Sequence, residues 1–399
     1  MTATSRDLEQ LQAGQPPFDE RLLDAMTEGR ALWLDRFQSH YLAGYILSGG
    51  SKVKVLVGDE GSGKTHLIHC ALSDARRLGY ETAYVSAREE RKLNDVPSLY
   101  RSIAGQIRQR EFVQGLCRRV AERLGYGAER YDGESNLVSL MVEDEHIQRT
   151  EALRLIRTTT GELLHDEDLS PSFVAFVYAV VAAQLAGTVS AELVSTAMKW
   201  LSGEKLARFE KQSTNLFERL QKTNARTWLN GLVRLLKLAG KKGLVVALDD
   251  LEVITERDPR TNAYRYTPSA VKDTCELIRQ LIDDAELLES FVLLIAGRPG
   301  ILREDERRSL RSYEALWMRL QSGLVPTGAF NPFNDIVDVD RHLEECGEEF
   351  ASSVAQRLEA SLQADGFVAD DEADPMTTPM WSLRDRVVDM ACRFRTPDR

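Results

Sequence analysis

The chain has 399 residues, with 51 Lys+Arg against 62 Asp+Glu, a formal charge of −11 and a pI near 5.3. Hydrophobic residues make up 43% and charged residues 28%, with only 12 prolines, which excludes disordered, collagen-like and small disulfide-scaffold chains and leaves length for two or three domains. The longest uninterrupted apolar run, Phe173 to Ala183, is far short of the ~20 residues a bilayer span needs.

The amino-terminal stretch MTATSRDLEQLQAGQPP carries no apolar segment behind its charges, so neither signal peptide nor anchor is expected and the expected location is the cytoplasm. Residues 19–47 read as helix, with apolar residues at three- and four-residue spacings, ended by Gly49 and Gly50. VKVLVG, residues 53–58, reads as a buried strand, followed by a glycine-rich loop and then a helix; ETAYVSA, 81–87, reads as a second strand. This is the βαβ rhythm of a parallel sheet covered by helices. Residues 96–240 contain helical patterns and almost nothing strand-like. GLVVALDD, 243–250, returns to the sheet, a long helix runs through SAVKDTCELIRQLIDDAELL, and SFVLLIAGRPG, 290–300, supplies a further strand near which the core is expected to close. Beyond it come helices, a solvated loop DDEADPMTTPM and a last helix WSLRDRVVDMACRF.

The expected organisation is a helical segment over 1–50, the first part of the core over 51–95, a helical insertion over 96–240, the second part of the core over 241–325 and an acidic helical region over 326–399. Residues 331–399 hold 16 acidic and 7 basic side chains, so most of the net charge lies there. Residues 76–130 hold 12 basic and 7 acidic ones, including Arg88, Arg91, Lys92, Arg101, Arg108, Arg110, Arg118 and Arg119. That stretch is either a nucleic-acid face or a set of solvated helix faces with ordinary ion pairs. The five cysteines (Cys70, Cys117, Cys275, Cys346, Cys392) show no metal-ligand spacing and are expected to be reduced and mostly buried.

Residues 58–65, Gly-Asp-Glu-Gly-Ser-Gly-Lys-Thr, match G-x-x-x-x-G-K-[ST] at every fixed position, between a strand and a helix. Such a loop wraps phosphate with its backbone amides at a helix N-terminus. Gly58, Asp59, Glu60, Gly61, Ser62, Gly63, Lys64, Thr65 and His66 are therefore the candidate nucleotide-binding residues of a P-loop NTPase. Lys64 would neutralise the β- and γ-phosphates of ATP, and Thr65 would ligate Mg²⁺. The strand LVVALDDLE offers Asp249 as the second metal-site residue. Where many hydrolysing P-loop enzymes carry a glutamate next, this chain has Asp250, one methylene shorter, with Glu252 two positions on. Both are candidate catalytic residues; the purely structural alternative is a pair of aspartates capping the next helix. Arg298, at the end of FVLLIAG, would read the γ-phosphate through its fixed guanidinium fork. An arginine there is more like STAND-type than AAA+-type ATPases, and its bland alternative is an ion pair with Glu304. Arg307, Arg308, Arg311 and Arg319 are candidates for a finger supplied to a neighbouring subunit. The 184 residues between Lys64 and Asp249 exceed what one or two βα units need, which places partner or DNA contacts in the inserted block.

Four segments together resemble the ATP-binding proteins of BREX-type phage-defence systems, the D component, a branch of AAA+-like NTPases related to origin-recognition proteins. They are GDEGSGKTH with VSAREERKLNDVPSLYRSI behind it, AMKWLSGEK at 197–205, GLVVALDDLEVI followed by RYTPSAVKDTCELIRQLIDD, and SYEALWMRL at 312–320. The resemblance spans roughly residues 20–325. It departs where the family has Asp-Glu and this chain has Asp249-Asp250. It implies a P-loop NTPase core of AAA+/STAND-like α/β fold, a parallel sheet with a large all-helical insertion and a helical C-terminal region. It further implies ATP and Mg²⁺ as cofactors, helicase- or nuclease-like defence proteins and double-stranded DNA as candidate partners, and an ATP-dependent homo-oligomer. The alternatives are a non-hydrolysing nucleotide-gated adaptor and, from a third class, a small-molecule phosphotransferase.

Overall fold

A computed structural model describes residues 3–89, 93–165, 169–187, 191–303, 308–321, 331–347, 349–369 and 382–396. Five strands, β1 (Ser51–Val57), β2 (Glu81–Ser86), β3 (Leu244–Asp249), β4 (Phe291–Gly297) and β5 (Ile336–Asp338), form one parallel sheet in the order β2-β3-β4-β1-β5. The strands β3 and β4 are buried along their whole length because both faces of a parallel sheet are covered. Alternate residues face opposite sides. Val53, Val55, Val246, Leu248, Leu293 and Ile295 join one core cluster, whereas Leu56, Val245, Ala247, Val292 and Leu294 join another. The second face packs on the helix Lys64–Arg77 through Leu67, Ile68 and Ala71, and on Trp33 and Phe37.

The α/β architecture is as expected, and the four strands read from sequence begin and end within two or three residues of their expected limits. Between β2 and β3 the described residues form helices and no strand, among them Gln109–Arg123, Arg149–His165 and Ala225–Leu238. Their buried residues Leu116, Ile156, Trp228 and Leu232 belong to the same core as the first sheet face, so this block shares the sheet's hydrophobic interior. Trp200, in the Trp-Leu-Ser-Gly-Glu segment, is buried against Trp228 (ring centroids 4.6 Å) and Phe173 (5.3 Å), and Gly203 takes a left-handed conformation (φ 81°) at the helix end. Cys70, Cys117 and Cys275 are buried free thiols, Cys346 is half-buried and Cys392 exposed.

Three expectations need correction. The single helix over 19–47 is broken: the helix Glu20–Ala25 ends before left-handed Gly29 (φ 62°), and the chain re-enters as a π-helical stretch, Phe37–Tyr45. Apolar spacing does not reveal such a break, because both pieces face the same core. The sheet does not close near residue 300 or 325, since β5 pairs with β1 from beyond that limit. Nor is the C-terminal region purely helical, because Val368–Ala369 pairs antiparallel with Phe394–Arg395. It is also not separate from the amino terminus. Leu8 and Leu11 of the helix Ser5–Gln12 share a core with Leu358 and Leu362 of Phe350–Ala364 and with Val387 and Ala391 of Leu383–Cys392. The expected loop at 370–380 lies outside the described residues.

The fifth strand is held by an unusual residue for a sheet interior. Lys54 of β1 is fully buried, and its ammonium donates to the carbonyls of Asn334 (2.8 Å), Pro332 and Phe333 (3.4 Å each) and lies 4.4 Å from the centre of the Tyr41 ring. Burial pushes its pKa down from 10.5 to about 7. Between those values the unfolded chain binds more protons than the fold, so this group makes stability rise with pH above about 7 and lose that gain as pH falls back. Chemical denaturation at pH 7.0 and 8.5 is expected to show wild type gaining about 1.5 kcal/mol relative to Lys54→Met. Parallel behaviour of the two proteins would contradict it.

Candidate functional site

The sheet order puts β4 between β1 and β3, so three strand ends converge at one edge. Val57 lies opposite Gly297, Leu248 opposite Ile295, and Ser86 opposite Asp249. The loop after β1, Asp249 and Asp250 at the end of β3, Arg298 after β4, and Ser86 at the end of β2 therefore border one cavity of about 860 Å³. Its opposite wall comes from Gln15, Pro16 and Phe18 of the amino-terminal segment and from Leu383, Arg384 and Val387.

Gly61 (φ 78°) and Gly63 (φ 91°) take conformations that side-chain-bearing residues rarely adopt, and Gly63 opens directly into the helix Lys64–Arg77. This turns the loop's amides and the helix N-terminus toward the cavity. Lys64 is 9% exposed, and its ammonium donates to the carbonyls of Gly58 (2.8 Å) and Asp59 (2.6 Å) and approaches Ser62 Oγ (3.5 Å). Burial lowers its pKa, opposed by the charges of Glu252 and Asp249. Asp340 accepts from the Asp59 amide (2.9 and 3.1 Å), so the first loop amide has a partner within the chain. His66 is turned elsewhere: its Nε2 lies 3.0 Å from Thr27 Oγ1 and 3.4 Å from Cys70 Sγ, and burial pushes its pKa down to about 4.

Asp249 is buried and accepts from Tyr84 Oη (3.0 Å) and the Asp250 amide (2.8 Å). Burial raises its pKa, with the Asp250 charge adding to the effect. Asp250 adopts a left-handed backbone (φ 59°), and its Oδ2 accepts from Ser86 Oγ at 2.6 Å in the cavity wall. Glu252 takes the inward position. It is 7% exposed, its Oε1 faces Arg88 (3.4 Å) and Arg298 (3.7 Å), and its buried Oε2 has no hydrogen-bond partner among the described residues. Burial raises its pKa, and the charges of Asp250 and Asp249 raise it further. A buried carboxylate oxygen without a partner is costly, and such groups mark places where a proton or ligand is handled.

Arg298 bonds Glu60 Oε2 of the loop (2.9 Å) as well as facing Glu252; Glu304, the partner weighed for it above, lies outside the described residues. The finger candidates are engaged within the chain: Arg308 donates to the Tyr266 carbonyl (2.6 Å), Arg311 lies over the Trp317 ring, and Arg319 pairs with Asp283, while Arg307 lies outside the described residues. Sequence reasoning missed Tyr84, Ser86, Arg88 and Arg384. Arg88 reaches Glu256 (2.9 Å) as well as Glu252, and Arg384 approaches Glu60 at 3.8 Å. Tyr84 and Ser86 sit at the end of a strand already read as such, which was the available signal; for Arg384 nothing local gave one.

Among the described residues no group of three or more His, Cys, Asp or Glu side chains forms a metal site. No described helix is long and apolar enough to cross a membrane. Residues 8–371 match the family model described as BREX system ATP-binding protein BrxC/D. No curated protein and no solved structure matches the chain.

Proposed function

Since the chain belongs to the family of BREX system ATP-binding proteins BrxC/D, we propose that it binds Mg-ATP at the 58–65 loop and hydrolyses it. In this reading turnover controls its assembly on DNA or with helicase- or nuclease-like partners of the defence system. The observation that carries the reading is the convergence on one cavity of the 58–65 loop, of Lys64 and Thr65 at the start of its helix, and of the buried Asp249, with Glu252 and Arg298 in the same wall. The donor set fits Mg²⁺ of the phosphate-bound kind, which keeps waters and takes one or two protein oxygens. Thr65 and Asp249 would hold it, and when bound it would neutralise charge on the phosphoryl oxygens.

The rest of the work falls to the chain's own groups. The loop amides would bind phosphate, and the Lys64 ammonium would exchange the Gly58 and Asp59 carbonyls for phosphate oxygens. Arg298, now bonded to Glu60, would turn to the same anion. Glu252 would orient the attacking water and take its proton on Oε2, a role its buried, unpartnered oxygen supports better than the Ser86-bonded carboxylate of Asp250. The partial cover from the 382–387 region and the amino-terminal segment would exclude bulk water.

A nucleotide-gated adaptor without turnover is the second reading, favoured by one observation. The carboxylate directly after Asp249 belongs to an aspartate already engaged by Ser86 Oγ (2.6 Å) at the cavity wall. Phosphate release from Mg-ATP, measured with and without duplex DNA while light scattering follows assembly, separates them. Turnover supports the first reading and tight binding without turnover the second; failure to bind Mg-ATP refutes both.

A further inference from the structure

Seven basic and three acidic residues lie between Lys199 and Arg226, a local charge of +4 in a chain of −11. The helix Ala191–Leu201 ends at Gly203, a short helix Arg208–Thr214 follows, and left-handed Asn215 (φ 59°) turns the chain back. Trp200 Nε1 donates to the Glu218 carbonyl at 2.8 Å and ties the returning segment to its root.

Within this projection the acids are engaged, as are Lys199 with Glu210, Lys222 with Asp95 (3.5 Å) and Arg226 with Asp284 (3.0 Å), whereas the other four cations are not. Glu210 accepts from Lys199 (2.9 Å) and from the Ala207 amide, Glu218 from the Asn224 side chain (2.9 Å), and Glu204 from Ser202 Oγ (3.3 Å). Lys205, Arg208, Lys211 and Arg219 make no ion pair or side-chain hydrogen bond with any described residue. These four line a groove of about 440 Å³ together with Phe217, which is 58% exposed, and Phe209 on the same short helix is 68% exposed. The basic stretch at 76–130 differs. There Arg76, Arg77, Arg108, Arg110, Arg119 and Arg130 each pair with a carboxylate, and Arg118 donates to the Asp132 carbonyl.

Unpaired cations set beside an exposed phenyl ring match a chain that offers both phosphates and bare base faces. A single strand offers both, whereas a duplex hides its base faces in the stack. We propose that the groove lined by Lys205, Arg208, Lys211, Arg219 and Phe217 binds single-stranded nucleic acid, its phosphates on the cations and a base stacked on Phe217. The proposal goes beyond the nucleotide reading and does not need it.

The test is fluorescence anisotropy of a labelled oligothymidylate of about 20 nucleotides and of a duplex of the same length, on the full chain. Mg-ATP binding is scored separately on each preparation, so failure of either reading shows by itself. Four phosphate contacts predict about 50-fold weaker single-strand binding between about 50 and 200 mM salt. The double change Arg208→Glu/Lys211→Glu is expected to weaken it at least about tenfold and to flatten the salt dependence. Phe217→Ala is expected to weaken it about tenfold with the salt slope unchanged. All three side chains are at the surface, and thermal melts matching wild type confirm the variants' folds. No binding at about 50 mM salt, or affinity indifferent to the charge reversal, would overturn the proposal. So would a duplex bound as tightly as the single strand with Phe217→Ala silent.

Discussion

Glu252→Gln is expected to keep Mg-ATP binding and to lose phosphate release by about 10²-fold or more, the scale of a removed general base. The amide keeps the size of the carboxylate and its approach to Arg88 and Arg298 but cannot take a proton from water. Glu252 is the carboxylate with the geometry for that task, inward and buried, with an unpartnered Oε2 and a pKa raised by burial and by the Asp249 and Asp250 charges. Asp250→Asn, in contrast, alters a group bonded to Ser86, and its expected loss is under about tenfold. Steady-state phosphate release with nucleotide binding measured in parallel checks both. Turnover that survives Glu252→Gln and collapses in Asp250→Asn would reverse the assignment.

The second large effect is that of Lys64→Ala, expected to weaken Mg-ATP binding by at least about 10²-fold, since a buried charge-assisted contact to phosphate is lost. The fold should survive. The ammonium is held by loop carbonyls of Gly58 and Asp59, which the small side chain would leave open to the cavity, not sealed in the core. Isothermal calorimetry with Mg-ATP, together with a thermal melt of the protein alone, distinguishes lost binding from lost structure. Wild-type affinity in the variant would place the nucleotide elsewhere on the molecule.

What was legible in the sequence follows from how far each signal reaches along the chain. The 58–65 loop is a run of eight consecutive residues that matches a phosphate-loop pattern at every fixed position, so strand, loop and helix were readable together. The strands β3 and β4 were readable because burial on both faces demands unbroken apolar runs. Asp249 was readable because the strand ends on it. Asp250 and Glu252 were both named, but their order of importance was not available from spacing. The proposed order rests on the fold, which bonds the Asp250 carboxylate to Ser86 and leaves Glu252 Oε2 buried and without a partner among the described residues.

Strand β5 stayed hidden because three residues carry no periodicity, and its attachment depends on a lysine buried in β1 reaching carbonyls some 280 positions away. The cover over the cavity stayed hidden for the same reason, since the amino-terminal helix and the last helices meet through a shared core and through long-range bonds such as Gln12 Nε2 to the Ala391 and Phe394 carbonyls. Charge showed the reverse. The sequence located a basic stretch at 76–130, yet whether a cation is free depends on which carboxylates the fold brings to it. Sequence by itself therefore determined the α/β class, the glycine-rich loop between a strand and a helix, and the aspartate that ends β3, because each of these is encoded in contiguous residues. Tertiary structure alone decided which carboxylate keeps a buried oxygen without a partner, what covers the cavity, and which cations remain unpaired, because those outcomes depend on side chains far apart in the chain meeting in space.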